Sequence, residues 1–210
     1  MRKVLLVLLV LIVLVFIPNP LYWNIRLVDV LHNFGLKGLH MSGWHPLNLE
    51  QCQKNLFEFD DVMKAYGIQY WLSEGTALGA VRDGALIPWD DDVDTGMMES
   101  QRDTFIKQAL PDLISRGFKV TYVESQAHFF GLLRGNEKVD VDIVSAGGKC
   151  RACRTSAAMC KSCDDMRPFL GGMRSVHFLG RDFFVPGNDY LEYLYGDTWG
   201  TPIKKKDIVI

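Results

Sequence analysis

Hydrophobic and polar positions along the chain follow two periods, which together predict a mixed set of helices and strands. Apolar residues recur every three or four positions between residues 49 and 66, after Asn48 and before Gly67, which is typical of a capped amphipathic helix. Further helices are predicted at 75–82, at 99–116 with a break or restart at Pro111, and at 189–196. Alternating runs predict strands at 68–72 and 118–123, a hairpin at 128–144 that turns at Gly135-Asn136, and a hairpin at 176–186. This order predicts an α/β (α+β) fold with one small mixed sheet and flanking helices.

The first 23 residues have the pattern of a membrane-targeting segment. Arg2 and Lys3 precede fourteen consecutive apolar residues, which as a helix would span about 21 Å. That length is short for a membrane crossing and suits a signal-peptide core, but no small-residue cleavage site follows it. We therefore favour an uncleaved signal anchor, with a cleaved signal peptide as the alternative.

The anchor divides the chain into three predicted parts. Residues 1–23 form the anchor, 24–47 a stem or linker, and 48–210 the folded domain. Because the two basic residues would stay in the cytosol, we expect a single-pass type II membrane protein that faces the lumen of the secretory pathway. A short anchor suits the thin membranes of the early pathway, which favours the Golgi apparatus.

Composition and charge exclude one class of partner. The formal net charge is −2, and no stripe of Lys and Arg with interleaved aromatic residues is present, so no nucleic-acid partner is expected. Hydrophobic residues make up 48% of the chain, which is enough for a packed core. The oligomeric state is left open by the sequence.

Four cysteines form a separate cluster in an insert at 147–167. Cys150, Cys153, Cys160 and Cys163 are spaced C-x₂-C-x₆-C-x₂-C, which is typical of a tetrahedral zinc site. Two disulfides are the alternative, since a lumenal location permits them. Both interpretations give the cluster a structural role. The fifth cysteine, Cys52, lies on the apolar face of the first predicted helix and is expected to be a buried thiol.

An unusual concentration of aspartates lies between two apolar segments. Asp92 and Asp94 alternate along a predicted strand and would face the same way, while Asp91 would point away. Asp140 and Asp142 repeat the spacing on a later strand. If the two strands are neighbours, a carboxylate of the second strand completes a site for a hard divalent cation. A polar sheet edge or a structural calcium loop would give the same local pattern.

A glycine-threonine step precedes the aspartates. Gly75 and Thr76 begin a predicted helix, whose free N–H groups can hold a phosphate. A strand, a Gly-Thr helix start and an acidic pair on the next strand resemble, in that order, the nucleotidyltransferase fold of the polymerase-β type.

A longer pattern resembles one family within that fold. Residues 70–97 resemble the signature of LicD-type transferases, the family that includes bacterial phosphocholine transferases, fukutin and fukutin-related proteins. The matching positions are Gly75, Thr76, Leu78, Gly79, Arg82, Ile87, Pro88, Trp89, Asp90, Asp92 and Asp94. Later elements of the family pattern are matched by Val141-Asp142-Ile143 and by residues 190–202.

The resemblance implies a metal-dependent phosphotransferase that acts on glycans. Such an enzyme moves phosphocholine or a pentitol or sugar phosphate from a CDP-activated donor to a glycan hydroxyl. Carried over to this chain, Asp92, Asp94 and Asp142 would bind Mg²⁺ or Mn²⁺, and Asp142 is also the candidate base. Asp90 would support these ligands or add one, and Gly75 and Thr76 would contact the donor phosphates. Arg82 would bind phosphate or form a salt bridge to the aspartates.

Two other functions are compatible with the same residues. A catalytically silent relative could act as a binding or scaffold subunit of a glycosylation complex, although no aspartate of the pattern is missing. A nucleotidyltransferase that makes the activated donor would share the site, but the predicted anchor disfavours it.

Overall fold

A five-stranded mixed sheet forms the centre of the fold, in the order Tyr70–Leu72, Val93–Met98, Glu137–Val144, Phe129–Arg134 and Lys119–Val123. The computed structural model describes residues 47–124, 128–144 and 171–202. The predicted anchor, almost all of the linker and the cysteine insert lie outside these residues and stay predictions. The described elements are α1 (Leu49–Ala65), β1 (Tyr70–Leu72), α2 (Glu74–Arg82), β2 (Val93–Met98), α3 (Arg102–Thr104), α4 (Leu110–Ser115), β3 (Lys119–Val123), β4 (Phe129–Arg134), β5 (Glu137–Val144), β6 (Arg174–Phe178), β7 (Arg181–Val185) and α5 (Asn188–Tyr195).

Strand directions make the sheet mixed, as predicted. β2 and β5 are parallel, whereas β1 pairs antiparallel with β2, and β3, β4 and β5 pair antiparallel in turn. β6 and β7 form a separate antiparallel hairpin. The predicted α/β architecture with a small sheet and flanking helices is therefore confirmed.

Helix α1 follows its predicted boundaries closely. The side chain of Asn48 accepts a hydrogen bond from the Gln51 N–H at 3.1 Å, which satisfies one of the free amides at the helix start. The apolar side of the helix is fully buried, including Leu56, Phe59 and Met63. This side packs on the sheet, so the helix is held by burial of its apolar face.

The β4–β5 hairpin forms at the predicted turn. Gly135 and Asn136 have φ angles of 60° and 65°, as a two-residue type I′ turn requires. The buried Asn55 of α1 donates to the carbonyls of Arg134 and Glu137, at 2.9 and 3.2 Å, on either side of the turn. These bonds tie the first helix to the hairpin that carries the second acidic strand.

Several predicted boundaries differ in the structure. The strand predicted at 68–72 covers only Tyr70–Leu72. The helix predicted to begin at Gly75 begins one residue earlier, at Glu74. The helix predicted over 99–116 consists of a 3₁₀ turn, an α turn, a π-helical segment (Phe105–Ala109) and α4. Pro111 lies in the first turn of α4, and the wider π turn before it accommodates the missing proline N–H and the bulk of its ring.

The two faces of the sheet have different characters. On one face, residues such as Val93, Val139 and Leu132 are completely buried and form the core with α1. The other face carries the acidic residues of β2 and β5, because side chains alternate along each strand. Among the described residues, no helix is both long and apolar enough to cross a membrane.

Candidate active site

The register between β2 and β5 decides which carboxylates meet. Asp94 is paired with Asp140, and Gly96 with Asp142. The two acidic strands are therefore neighbours, as the sequence hypothesis requires. Asp140 lies directly beside Asp94 on the same face. Asp142 also lies on this face, but two residues further along β5 and about 6.6 Å from Asp140. The register favours Asp140 over Asp142 as the carboxylate nearest to the Asp92–Asp94 pair.

A second group of carboxylates lies immediately before β2. One carboxylate oxygen from each of Asp90, Asp91 and Asp92 lies within 4.8 Å of the others, the arrangement that a cation-binding group would have. Asp91 was expected to point away from the site, and although it is exposed, its carboxylate joins this group. Asp92 precedes the first strand residue, Val93, so the acidic pair spans the start of β2.

The Gly-Thr step holds the acidic strand in place. The Gly75 N–H donates to Asp94 Oδ2 at 3.2 Å, and the Asp94 N–H donates to Thr76 Oγ1 at 2.8 Å. The Glu74 N–H donates to the hydroxyl of Tyr190 at 3.3 Å. Two amides at the start of α2 therefore have protein acceptors, and phosphate binding by Gly75 and Thr76 stays a prediction.

Gly75 also allows Asp90 to approach the helix. A Cβ atom at position 75 would overlap Asp90 Oδ2 and would lie 3.0 Å from Asp90 Cγ. A side chain at this position would therefore displace Asp90. Glycine at this position leaves room for the close approach of the Asp90 carboxylate.

Negative charge accumulates around Asp94. Burial raises the pKa of Asp94 well above its ordinary value, and the neighbouring carboxylates Asp92, Glu74, Asp90 and Asp140 raise it further. Nearby negative charges disfavour ionisation of a buried carboxyl and therefore raise its pKa. A bound cation would reverse this effect by favouring the charged form.

Lys138 is a site residue that the sequence interpretation missed. Its Nζ atom lies 3.4 Å from Asp92 Oδ2. Burial lowers the pKa of Lys138, but Asp92, Asp140 and Asp91 outweigh burial and the pKa is raised overall. The alternation Lys138-x-Asp140-x-Asp142 along β5 was the available signal, because all three side chains share one face.

Two tyrosines of α5 also reach the site from the end of the described chain. Tyr190 is 2% exposed and accepts the hydrogen bond from Glu74. Burial, and then the negative charge of Asp94 and Glu74, raises the pKa of Tyr195 although 40% of its surface is exposed. Glu74 itself has a φ of 41°, an uncommon conformation for a residue with a side chain and one that is often found at functional sites.

Arg82 forms its ion pair outside the aspartate cluster. Its guanidinium forms two hydrogen bonds with Asp83, at 2.9 and 2.7 Å, and its side chain is almost fully buried. The expected salt bridge to the aspartates is thus replaced by one to the following residue. Phosphate binding by Arg82 stays a prediction.

The residues present fit a divalent cation. Carboxylate oxygens are the ligands that Mg²⁺ and Mn²⁺ prefer. Asp90, Asp91 and Asp92 supply three such oxygens within 4.8 Å of one another, next to Asp94 and its strand partner Asp140. Burial and the neighbouring carboxylates raise the pKa of Asp94, and a bound cation would offset the negative charge of those carboxylates. The predicted zinc ligands Cys150, Cys153, Cys160 and Cys163 lie outside the described residues, so the choice between zinc and disulfides stays a prediction.

This chain is similar in sequence to known transferases. The sequence profile described as "LicD/FKTN/FKRP, nucleotidyltransferase domain" matches residues 67–188. Human ribitol 5-phosphate transferase FKRP is 56% identical over 36 residues, 17% of this chain and 7% of that protein. The lipopolysaccharide cholinephosphotransferase LicD of Haemophilus influenzae is 38% identical over 55 residues, 26% of this chain and 21% of that protein.

The chain is also similar to a solved structure, and it covers only part of the length of its curated relatives. Lincosamide antibiotic adenylyltransferase LnuA matches with a TM-score of 0.49 and 14% identity, over 73% of this chain and 90% of that chain. The curated relatives are considerably longer than the matched part. The chain spans between 7% and 32% of their lengths.

Proposed function

Because this chain belongs to the LicD/FKTN/FKRP family and contains that family's nucleotidyltransferase domain, we propose that it is a metal-dependent phosphotransferase that acts on glycans. It moves a phospho-linked group, such as phosphocholine or a pentitol phosphate, from a CDP-activated donor to a glycan hydroxyl. The observation that carries the proposal is the carboxylate group of Asp90, Asp91 and Asp92 next to Asp94, which is held against the Gly-Thr step of α2.

The nature of the transferred group is suggested by two relatives. One matched relative is named as a ribitol 5-phosphate transferase and another as a lipopolysaccharide cholinephosphotransferase. Both names describe the transfer of an alcohol together with its phosphate. A CDP-linked donor suits this chemistry, since CMP is the leaving group when a substituted phosphate is transferred.

Within this proposal, Asp92 and Asp94 bind the cation together with a carboxylate of β5. Asp140 takes that third place because it is paired with Asp94. Asp90 and Asp91 extend the negative site towards solvent. When bound, Mg²⁺ or Mn²⁺ supplies positive charge that neutralises the donor pyrophosphate and the departing CMP.

The chain's other residues position the reacting groups. The Gly75 N–H and the Thr76 hydroxyl hold Asp94 from both its side chain and its backbone, which fixes the ligand before the donor binds. The acceptor hydroxyl attacks the phosphorus that bears the transferred group, and the bond from that phosphorus to the oxygen of CMP breaks. Asp142, one pleat beyond Asp140, is the proposed base that takes the hydroxyl proton.

The proposal includes the setting of the reaction. We place the enzyme in the lumen of the secretory pathway, in the Golgi, on the basis of the apolar segment at residues 4–17. Within this proposal, the cysteine insert at 147–167 is a structural element that follows β5 closely in sequence. Zinc binding by the insert and self-association both belong to the proposal.

The experiment is a donor panel with the full-length protein in detergent. CDP-choline, CDP-ribitol and CDP-glycerol are each incubated with the protein and Mn²⁺ or Mg²⁺, and release of CMP is measured. We expect metal-dependent CMP release from one donor, even without acceptor, because water can replace the glycan hydroxyl. The Asp92→Ala variant should lose this release, whereas the Asp103→Ala variant, which alters an exposed aspartate paired with Lys107, should keep it.

Two results would count against the proposal. Equal activity of wild type and Asp92→Ala would show that the aspartate cluster is not the metal site. Binding of Mn²⁺ without CMP release from any donor, even with glycan acceptors added, would favour the catalytically silent scaffold.

A further inference from the structure

A basic side chain is embedded at the edge of the carboxylate cluster. Lys138 is the second residue of β5, and the next residue, Val139, is paired with Val93. This register brings Lys138 level with Asp92, and its Nζ lies 3.4 Å from Asp92 Oδ2. A lysine is therefore aimed at a residue to which we assign a metal-binding role.

The ammonium group is placed between protein and solvent. The lysine side chain is 38% exposed, so part of it is accessible to a ligand. An ammonium has three donors, and within the described residues Lys138 uses one of them on Asp92. Two further carboxylates, Asp140 and Asp91, lie close enough to Lys138 to act on its charge.

We propose that Lys138 shares Asp92 with the metal and becomes a ligand of the donor phosphates when the metal binds. This inference rests on the proposed function. Without the metal, the ammonium offsets part of the negative charge on Asp92. With a metal bound, the two positive charges would repel each other, and the ammonium would turn from Asp92 to the donor phosphates.

The position of the ammonium makes this exchange feasible. A cation held by both Asp92 and the donor would bring a phosphoryl oxygen close to Asp92, and the Lys138 ammonium already lies 3.4 Å from Asp92 Oδ2. Charge-assisted bonds from lysine to phosphate are strong enough to affect donor affinity.

The inference predicts opposite effects on two ligands, which a purely structural ion pair would not produce. Lys138→Met removes the competing charge, so Mn²⁺ alone should bind about tenfold more tightly. The same variant loses a phosphate contact, so CDP at saturating Mn²⁺ should bind about tenfold more weakly. Lys138→Arg should restore CDP affinity to within about threefold of wild type, since a guanidinium also binds phosphate.

The measurements use the full-length protein and two probes. Free Mn²⁺ is followed by electron paramagnetic resonance, and CDP binding is followed by calorimetry at saturating Mn²⁺. The matched control is Lys119→Met, which removes a lysine from the same row of the sheet but two strands further away. Lys119→Met should leave both affinities unchanged.

Each outcome separates this inference from the proposed function. If Lys138→Met binds Mn²⁺ with unchanged or lower affinity, or binds CDP as wild type does, the exchange is wrong while the metal site stands. If the wild-type protein does not bind Mn²⁺ at all, the proposed function fails and this inference fails with it. Thermal unfolding of each variant shows that the affinities belong to folded protein.

Discussion

Replacing Gly75 by alanine tests the close approach between α2 and the aspartate cluster. A Cβ atom at this position would lie 3.0 Å from Asp90 Cγ and 3.3 Å from Asp90 Oδ1, and it would overlap Oδ2. Ordinary carbon contacts begin at about 3.5 Å, so Asp90 Cγ must retreat by about 0.5 Å and Oδ2 by more. The obstacle is the end of a short side chain, so the backbone of α2 has no need to move.

This displacement should weaken metal binding while the protein stays folded. Metal sites tolerate errors of about 0.2 Å in ligand position, so Gly75→Ala should weaken Mn²⁺ binding by about 10- to 100-fold. The gain in helix propensity, up to about 1 kcal/mol, opposes an overpacking cost of about 1–3 kcal/mol. The free energy of unfolding should therefore fall by about 3 kcal/mol or less.

A double-mutant cycle supplies the control for Gly75→Ala. Mn²⁺ affinity and thermal unfolding are measured for Gly75→Ala, Asp90→Ala and the combined variant. Once Asp90 is removed, the added methyl group has nothing to displace and should have little further effect on affinity. Gly200→Ala, at a position where a Cβ meets no atom within 4 Å, should behave as wild type. Wild-type Mn²⁺ affinity in Gly75→Ala would refute the reasoning that Asp90 belongs to the metal site.

The remaining predictions concern the carboxylates and the hairpin that carries two of them. Because the pKa of Asp94 is raised in the folded protein by burial and by Asp92, its ionisation destabilises the fold as pH rises above 3.8. In chelator, Asp94→Asn should therefore melt above wild type at pH 7 and no differently at pH 3.5; a gap independent of pH would contradict this. Asp140→Asn should weaken Mn²⁺ binding at least tenfold and Asp142→Asn less than threefold, and the reverse order in a titration would assign the third ligand to Asp142. Asn55→Ala leaves two carbonyls of the β4–β5 hairpin without their donor, so urea unfolding should show a loss of about 2–3 kcal/mol, whereas a loss under 0.5 kcal/mol would argue against that role.

The order of motifs along the chain carried most of the information about the family. The segment from Gly75 to Asp94 combines a helix start, an apolar stretch and an acidic strand within twenty residues. Each of these features depends on nearest neighbours in sequence, and local periodicity reports such features well. The hairpin turn at Gly135-Asn136 was predictable for the same reason, since positive φ angles favour these two residue types.

The boundaries of the helices and the local backbone conformation were harder to predict from the sequence. The π-helical segment before Pro111 and the helix start at Glu74 depend on how the surrounding elements pack. Glu74 has a positive φ and a hydrogen bond to Tyr190, a residue that is more than one hundred positions away in sequence. No local pattern around residue 74 contains that partner.

The sequence by itself determined the kind of chemistry, since it supplies acidic pairs on two apolar strands and a Gly-Thr step at a helix start before them. Only the tertiary structure decided which of these groups meet. The parallel register of β2 and β5 brings Asp140 to Asp94 and Lys138 to Asp92, although these residues are 46 positions apart. A shift of two residues would have kept every side chain on its face and would have brought Asp142 to Asp94 instead. Alternation fixes the face of a side chain, whereas its partner along the strand depends on the hydrogen-bond ladder between distant segments.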